Sequence, residues 1–286
     1  MEWLLFNSGK DEAAANMATD EALLIAVAAR QRPVLRFYGW TERAATFGYF
    51  QKYAEVAAIT GLRPLIRRPT GGGIVPHDID WTYSAAFPPG HEWYELKAEE
   101  SYRGIHDWLR LAFGRLKIPT ELAPCCKRTL PGQCFIGYEK FDLLWHGMKI
   151  AGAAQRRNKC GLLIQGSVQP PLVSVTREQW EQAMTEVAVE HFGVGWRPLA
   201  PDAEWVQAVE ALVREKYSQV GTIRRGEPDQ LDRDGLRAFD GGTTGKTILN
   251  GFAAFPGSHQ IINRSGHFLR FRHKREYSST EGFIGR

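Results

Sequence analysis

The chain is poor in cysteine, carries only a mild charge imbalance and has no long apolar run. Its four cysteines, at 125, 126, 134 and 160, are unevenly spaced, and two are adjacent. That spacing offers neither a disulfide framework nor a CxxC metal pattern, so reduced thiols and no bound metal are expected. No apolar stretch approaches the roughly twenty residues of a membrane span. The segment MEWLLFNSGKDEAAANM lacks a basic region followed by an apolar core. These absences predict a soluble cytoplasmic protein with no membrane association. A formal net charge of +4 suits an acidic partner but is too small to argue for nucleic acid. No GxGxxG occurs. DGGTTGKT (240–247) fails as a P-loop, because Asp240 stands where the first glycine is needed and no buried strand leads in. A turn is expected there. The cluster Arg270-Phe271-Arg272-His273-Lys274-Arg275 reads as a solvated strand face.

The composition that is present, 43% hydrophobic and 24% charged over 286 residues, suits one large domain or a domain with an appendage. Glu2–Phe6 reads as a short strand ended by Asn7-Ser8-Gly9. Residues 11–31 read as a helix with Met17, Ala22, Leu24 and Ile25 on its apolar face, closed by Pro33. VLRFYGW and ATFGYFQ read as strands, 52–61 as a short helix, and PLIRRPT as a strand running into glycines. Trp81–Phe87 reads as a strand, and 95–116 as an amphipathic helix with Tyr102, Ile105, Trp108, Leu109, Ala112 and Phe113 inward. Glu121–Cys126 reads as a strand and Lys127–Gln133 as a polar loop delivering Cys134. Leu143–Trp145, Met148–Ala154 and Gly161–Val168 read as antiparallel strands, with helices near 176–190 and 203–217. Beyond Val220 the periodicity weakens, leaving a small subdomain and an extension both open.

Two stretches carry chemistry. The first is Arg67-Arg68-Pro69-Thr70-Gly71-Gly72-Gly73-Ile74-Val75-Pro76-His77-Asp78. Three glycines between a basic strand and an apolar one let backbone approach a ligand and turn N–H groups toward it. By pattern alone they read as a hairpin turn, and His77 as a structural hydrogen-bonder. The arginines suit a carboxylate, a phosphate or a phosphopantetheine arm. The second stretch runs from Cys134 to Ser167 and sets a thiol ahead of Lys149-Ile150-Ala151-Gly152-Ala153-Ala154. A thiolate and a nearby cation are the minimum for acyl transfer through a thioester. Composition alone leaves all four cysteines equal. Cys125, Cys126 and Cys160 fall in expected strands, where burial would raise their pKa. Phe37, Tyr38, Phe47 and Tyr49 read as ordinary core.

The order NMATDEALL, VLRFYGW, GYFQ, RRPTGGGIVPHD with TYS after it, and KIAGAAQRR resembles the lipoate–protein ligase A and octanoyltransferase superfamily over roughly residues 1–220. The resemblance implies an α+β fold: a mixed, mostly antiparallel sheet flanked by helices, like biotin protein ligases and class II synthetase cores. It implies a catalytic domain over 1–220, with 221–286 a tail, and it matches the family's lysine to Lys149. Cys134-Phe135, fifteen positions before that lysine, is similar to the LipM-type octanoyltransferases. Asp80-Trp81, where ligases usually show Gly-Asn, leans the same way. The triple glycine is more ligase-like, and Gln165 stands where the family often has histidine.

The resemblance implies an octanoyltransferase of lipoate biosynthesis that needs no cofactor. Cys134 takes an octanoyl group from acyl carrier protein as a thioester and passes it to a lysine of a lipoyl domain, of glycine-cleavage H protein or a dehydrogenase E2. Cys134 and Lys149 would be catalytic. Arg68, Thr70, Gly71, Gly72, Gly73, His77, Ala151 and Gly152 would line the acyl site. An ATP-dependent lipoate ligase and a non-catalytic partner of lipoyl carriers remain the other readings.

Overall fold

The computed structural model describes residues 1–127, 137–170 and 174–218. Cys134, most of the 127–133 loop and the whole of 221–286, with the 240–247 turn and the basic cluster, lie outside the described residues.

The main sheet has eight strands. Along the chain they are β1 (Glu2–Asp11), β2 (Val34–Trp40), β6 (Trp81–Phe87), β7 (Glu121–Leu122), β8 (Leu143–Trp145), β9 (Met148–Asn158), β10 (Gly161–Val168) and β11 (Gly195–Pro198). Their spatial order is β11-β1-β2-β6-β10-β9-β8-β7, parallel at β11-β1-β2 and antiparallel at every other pairing. A small second sheet orders β4 (Leu65–Arg67), β3 (Ala44–Phe47) and β5 (Val75–His77). The helices are α1 (Ala13–Arg30), α2 (Tyr53–Ile59), α3 (Glu92–Glu95), α4 (Ala98–Arg115), α5 (Arg177–Phe192) and α6 (Ala203–Leu212), the last running into a π-helical turn at Val213–Tyr217. This is the mixed, mostly antiparallel α+β architecture expected.

The period-two alternation of the central strands divides the interior. Leu35 and Phe37 of β2, Tyr83, Ala85 and Phe87 of β6, and Leu162 and Ile164 of β10 join Trp108, Leu109 and Phe113 of α4 and Trp180 and Met184 of α5 in one core. Val34, Tyr38, Ala86 and Leu163 join Met17, Leu23 and Val27 of α1 and Trp205 of α6 in the other. On this second face the polar residues meet. Asp20 of α1, wholly buried, accepts four side-chain donors: Arg36 Nη1 at 2.7 Å, Ser84 Oγ at 2.6 Å, Tyr38 Oη at 3.0 Å and Gln165 Nε2 at 2.7 Å. Arg36 also donates to Asn16 Oδ1 at 2.7 Å and Ser8 Oγ at 2.9 Å, and Asn16 donates to the Gly39 carbonyl at 2.8 Å. One carboxylate thereby joins α1 to β2, β6 and β10.

Several boundaries differ from the sequence reading for identifiable reasons. β1 continues through Asn7-Ser8-Gly9 to Asp11, because a bulge with Gly9 at φ 73° absorbs the break. Ile25 is only half-buried, and Leu23 and Val27 take the inner face of α1 instead. β3 stops at Phe47, since the chain turns at Gly48 and the Gln51 N–H bonds back to the Gly48 carbonyl at 3.0 Å. The triple glycine is not a hairpin turn. β4 pairs parallel and β5 antiparallel with β3, so the loop passes from one side of β3 to the other. The 95–116 helix begins at Ala98, after the separate turn α3. The 121–126 strand ends at Leu122, ahead of Pro124. This leaves Cys125 and Cys126 exposed, and Cys160 half-buried beyond the longer β9, so none of the three has the strand burial expected.

Arg36→Met would strand a buried carboxylate. We expect it to cost about 3–5 kcal/mol, read as a lowered urea midpoint. An unchanged midpoint would show that the Asp20 network does not hold α1 to the sheet.

Candidate functional site

On the α1 side of the main sheet, a cleft lies between β9, β10 and the small sheet. Its lining includes Met17, Tyr38, Arg68, Gly72, Val75, His77, Lys149, Gly152 and Gln165. Tyr38, read as ordinary core, therefore faces the site.

One wall is the glycine loop. Arg68, 5% exposed, turns its guanidinium onto the loop, with Nε 3.0 Å from the Gly71 carbonyl and Nη2 2.8 Å from that of Gly73. Gly72, at φ 88°, packs so closely on Gly48 that a Cβ there would lie 2.0 Å from the Gly72 carbonyl oxygen. Thr70 is buried; it donates to Gln165 Oε1 at 2.7 Å, and its carbonyl accepts the Tyr49 N–H at 2.9 Å. Gln165, in the histidine's place, thus bridges the loop to Asp20.

His77 stacks on Trp40 with centroids 3.7 Å apart. Its Nδ1 lies 2.8 Å from Asp80 Oδ2 and its Nε2 2.8 Å from Thr46 Oγ1. Arg68 Nη1 donates to the same Thr46 hydroxyl oxygen at 3.4 Å. A carboxylate oxygen only accepts, so Nδ1 donates to Asp80 Oδ2, which also accepts Ser167 Oγ at 2.7 Å. Both ring nitrogens are engaged, the structural role its sequence position suggested.

The opposite wall carries the cation. Leu143 pairs with Ala151 but Leu144 with Lys149, so β9 has one extra residue there and Lys149 leaves the strict alternation. Its side chain is 8% exposed, and Nζ lies 2.8 Å from Oδ2 of the fully buried Asp142. Asp142 also accepts the Glu139 N–H at 2.7 Å and the Tyr102 hydroxyl from α4. Burial, and then Asp142 and this hydrogen bond, raise the Tyr102 pKa well above its usual value, so the hydroxyl keeps its proton. His106, one turn along α4, donates Nδ1–H to the Tyr102 carbonyl at 2.8 Å and points Nε2 toward Asp142 Oδ1 at 4.0 Å. Burial, only partly offset by Asp142, lowers the His106 pKa to about 4, so the ring is neutral near pH 7. A Cβ on Gly152 would lie 2.7 Å from Lys149 Nζ and 3.2 Å from Asp142 Oδ1. Gly152 is the notch in which the ion pair sits, rather than a gap left for ligand.

Of the residues singled out in the sequence, Lys149, Gly152, Arg68, Gly72 and His77 share the cleft. Thr70, Gly71 and Gly73 shape the loop behind it. Ala151 is the exception. The structure buries it completely in the core beside Leu143 and Val168, because its side of β9 faces α4. Asp20, Asp142, Tyr102 and His106 were not read from the sequence as site residues. An acid between apolar neighbours, as in Phe141-Asp142-Leu143, is the only sequence sign of a buried carboxylate there. Among the described residues no group of three or more His, Cys, Asp or Glu is placed to hold a metal ion, and no helix is long and apolar enough to cross a membrane.

Gly152→Ala should leave the fold intact and push Lys149 from Asp142. The measurement is the heteronuclear NMR signal of the Lys149 ammonium, expected to shift or broaden; an unchanged signal would mean the notch is not needed. His106 gives a pH test. Its folded pKa lies below its unfolded one, so its contribution is complete above about pH 6.5 and declines as the pH falls toward about 4. Wild type should therefore lose about 2 kcal/mol more stability than His106→Gln between about pH 7.5 and about pH 5. Urea titrations at the two pH values would show it, and parallel losses would contradict it.

Comparison with known proteins gives a consistent answer. Residues 12–187 match the family model for the lipoyl protein ligase A/B catalytic domain. Octanoyltransferase LipM of Macrococcus caseolyticus is 35% identical over 180 residues, which is 58% of this chain and 65% of that protein. The Bacillus subtilis LipM is 32% identical over 179 residues, covering 58% and 64%. The match thus spans just under two thirds of these relatives' length. LipM of Kyrpidia tusciae is 32% identical over 248 residues, covering 80% of this chain and 90% of that one. Among solved structures, lipoate-protein ligase A bound with ATP superposes with a TM-score of 0.63 at 20% identity, covering 76% of this chain and 96% of that one. A structure from an archaeal lipoylation system, a bipartite lipoate protein ligase and its E2 lipoyl domain from Thermoplasma acidophilum, gives 0.62 at 19%, covering 80% and 100%. At those identities the likeness shows the fold, while the family match runs through the strands and loop that build the cleft. The chain belongs to the lipoyl protein ligase A/B catalytic domain family.

Proposed function

We propose that the protein is an octanoyltransferase of lipoate biosynthesis that works through a thioester on Cys134. The observation that carries this reading is Lys149, a nearly buried ammonium held on the cleft wall by Asp142. Chain connectivity supports it. Lys127 and Tyr138 form an isolated antiparallel bridge, and the Phe141 N–H bonds to the Ala123 carbonyl at 2.8 Å. In the chain, Cys134 comes four residues before Tyr138, and Asp142 four residues after it.

The chemistry follows from the charges. A free cysteine near pKa 8.5 is only a few per cent thiolate at neutral pH, and a cation beside it raises that fraction. The Cys134 thiolate attacks the acyl carbonyl of octanoyl-acyl carrier protein and expels the carrier thiolate, which leaves protonated as a thiol. The Lys149 N–H groups stabilise the oxyanion of the tetrahedral intermediate. The ε-amine of an acceptor lysine on a lipoyl domain, from H protein or a dehydrogenase E2, then attacks the enzyme thioester. An amide forms and the thiol of Cys134 is restored. The first exchange is nearly even in free energy and amide formation drives the second. No nucleotide is consumed.

Intact mass after mixing with octanoyl-acyl carrier protein and no ATP should show a single octanoyl adduct in wild type and none in Cys134→Ser. If acylation of a lipoyl domain instead requires free acid and ATP and survives Cys134→Ser, the protein is a ligase.

A further inference from the structure

We infer that Asp142 is the positioning residue for Lys149, fixing both the place and the charge of the ammonium on the cleft wall. This takes the role of Lys149 from the proposed function and adds the group that makes it possible. A cation with 8% of its side chain exposed is stable only with a counter-charge at hydrogen-bond distance, and Asp142 Oδ2 at 2.8 Å is that charge. The carboxylate is itself over-determined. It accepts the Glu139 N–H and the Tyr102 hydroxyl, its own N–H bonds to the Glu139 carbonyl at 3.1 Å, and its carbonyl accepts the Ala123 N–H at 2.8 Å. Both its backbone and its side chain are held, so it can act as a template rather than follow the lysine.

The electrostatic surroundings agree. From α4, Tyr102 presents a neutral hydroxyl and His106 a neutral ring. Across the cleft, Arg68 is turned onto the Gly71 and Gly73 carbonyls, and His77 is engaged by Asp80 and Thr46. Among the described residues, Asp142 is the anion in hydrogen-bond contact with Lys149. Gly152 completes the arrangement, since any side chain there would enter the space of Lys149 Nζ.

The test reads Lys149 itself. Competitive trace acetylation with acetic anhydride across pH, followed by peptide mapping, gives the titration midpoint of its amine. Asp142→Asn should lower that midpoint by about one unit or more, since a nearly buried ammonium loses its opposite charge. Asp142→Glu should recover part of the shift. With octanoyl-acyl carrier protein as donor, Asp142→Asn should slow adduct formation on Cys134 by about tenfold or more at saturating donor. An Asp142→Asn protein that is folded by circular dichroism yet keeps the wild-type Lys149 midpoint overturns the proposal. If Asp142→Asn does not fold, the double variant Lys149→Met/Asp142→Asn should fold, because both charges are gone. Failure of the double variant would assign Asp142 to holding the 139–142 turn alone and overturn its positioning role. Absence of any octanoyl adduct in wild type would instead sink the transferase reading, while the Lys149 titration would still decide the role of Asp142.

Discussion

A carboxylate shut away from water, Asp20, is the constraint on which this structure turns. Stripped of hydration, it is stable only with its lone pairs filled, and the fold supplies a guanidinium, two hydroxyls and an amide from three strands. Those donors come from β2, β6 and β10 at one side of the pleat. A register slip of one residue would turn each of them to the other face and leave Asp20 buried with no partner. The network therefore specifies strand register as well as stabilising it. It also reaches outward. Gln165, bonded to Asp20, receives the Thr70 hydroxyl, so the glycine loop hangs from the same carboxylate that seats α1.

The cleft is built from polar units that divide the labour. On the loop side, cations are spent on backbone: Arg68 on two loop carbonyls, and Arg67 on the Tyr49 carbonyl at 2.7 Å. Such residues shape a wall. On the β9 side, Lys149 is spent on a carboxylate and still lines the cleft. On each side a glycine leaves room for a charged group, Gly152 for the Lys149 ammonium and Gly72 for the Arg68 guanidinium.

The fold class, and most strands and helices, were legible because their signals are local. Aromatic and branched residues packed into VLRFYGW and WTYSAAF report strands, which the structure buries on both faces, and the Ala-rich run over 13–30 reports a helix whatever surrounds it. Boundaries failed where tertiary contacts override local signals: the bulge that carries β1 past Asn7-Ser8-Gly9, and the strand pairing that sets β4 and β5 on either side of β3. The site was half legible. Lys149, Gly152 and Arg68 stood out by residue type and neighbours. Ala151 did not belong with them, since the β9 bulge and pleat turn it to the α4 side.

The sequence by itself determined the family, the α+β architecture and the lysine set among small residues, because these are carried by order and spacing along the chain. Only the tertiary structure decided what each charge faces. Asp20 and Arg36 are sixteen residues apart, Gln165 is 145 from Asp20, and the Tyr102 hydroxyl comes to Asp142 from forty residues away. No local pattern records such partners. They are chosen when burial removes water and each buried polar group must find its counterpart within hydrogen-bond reach.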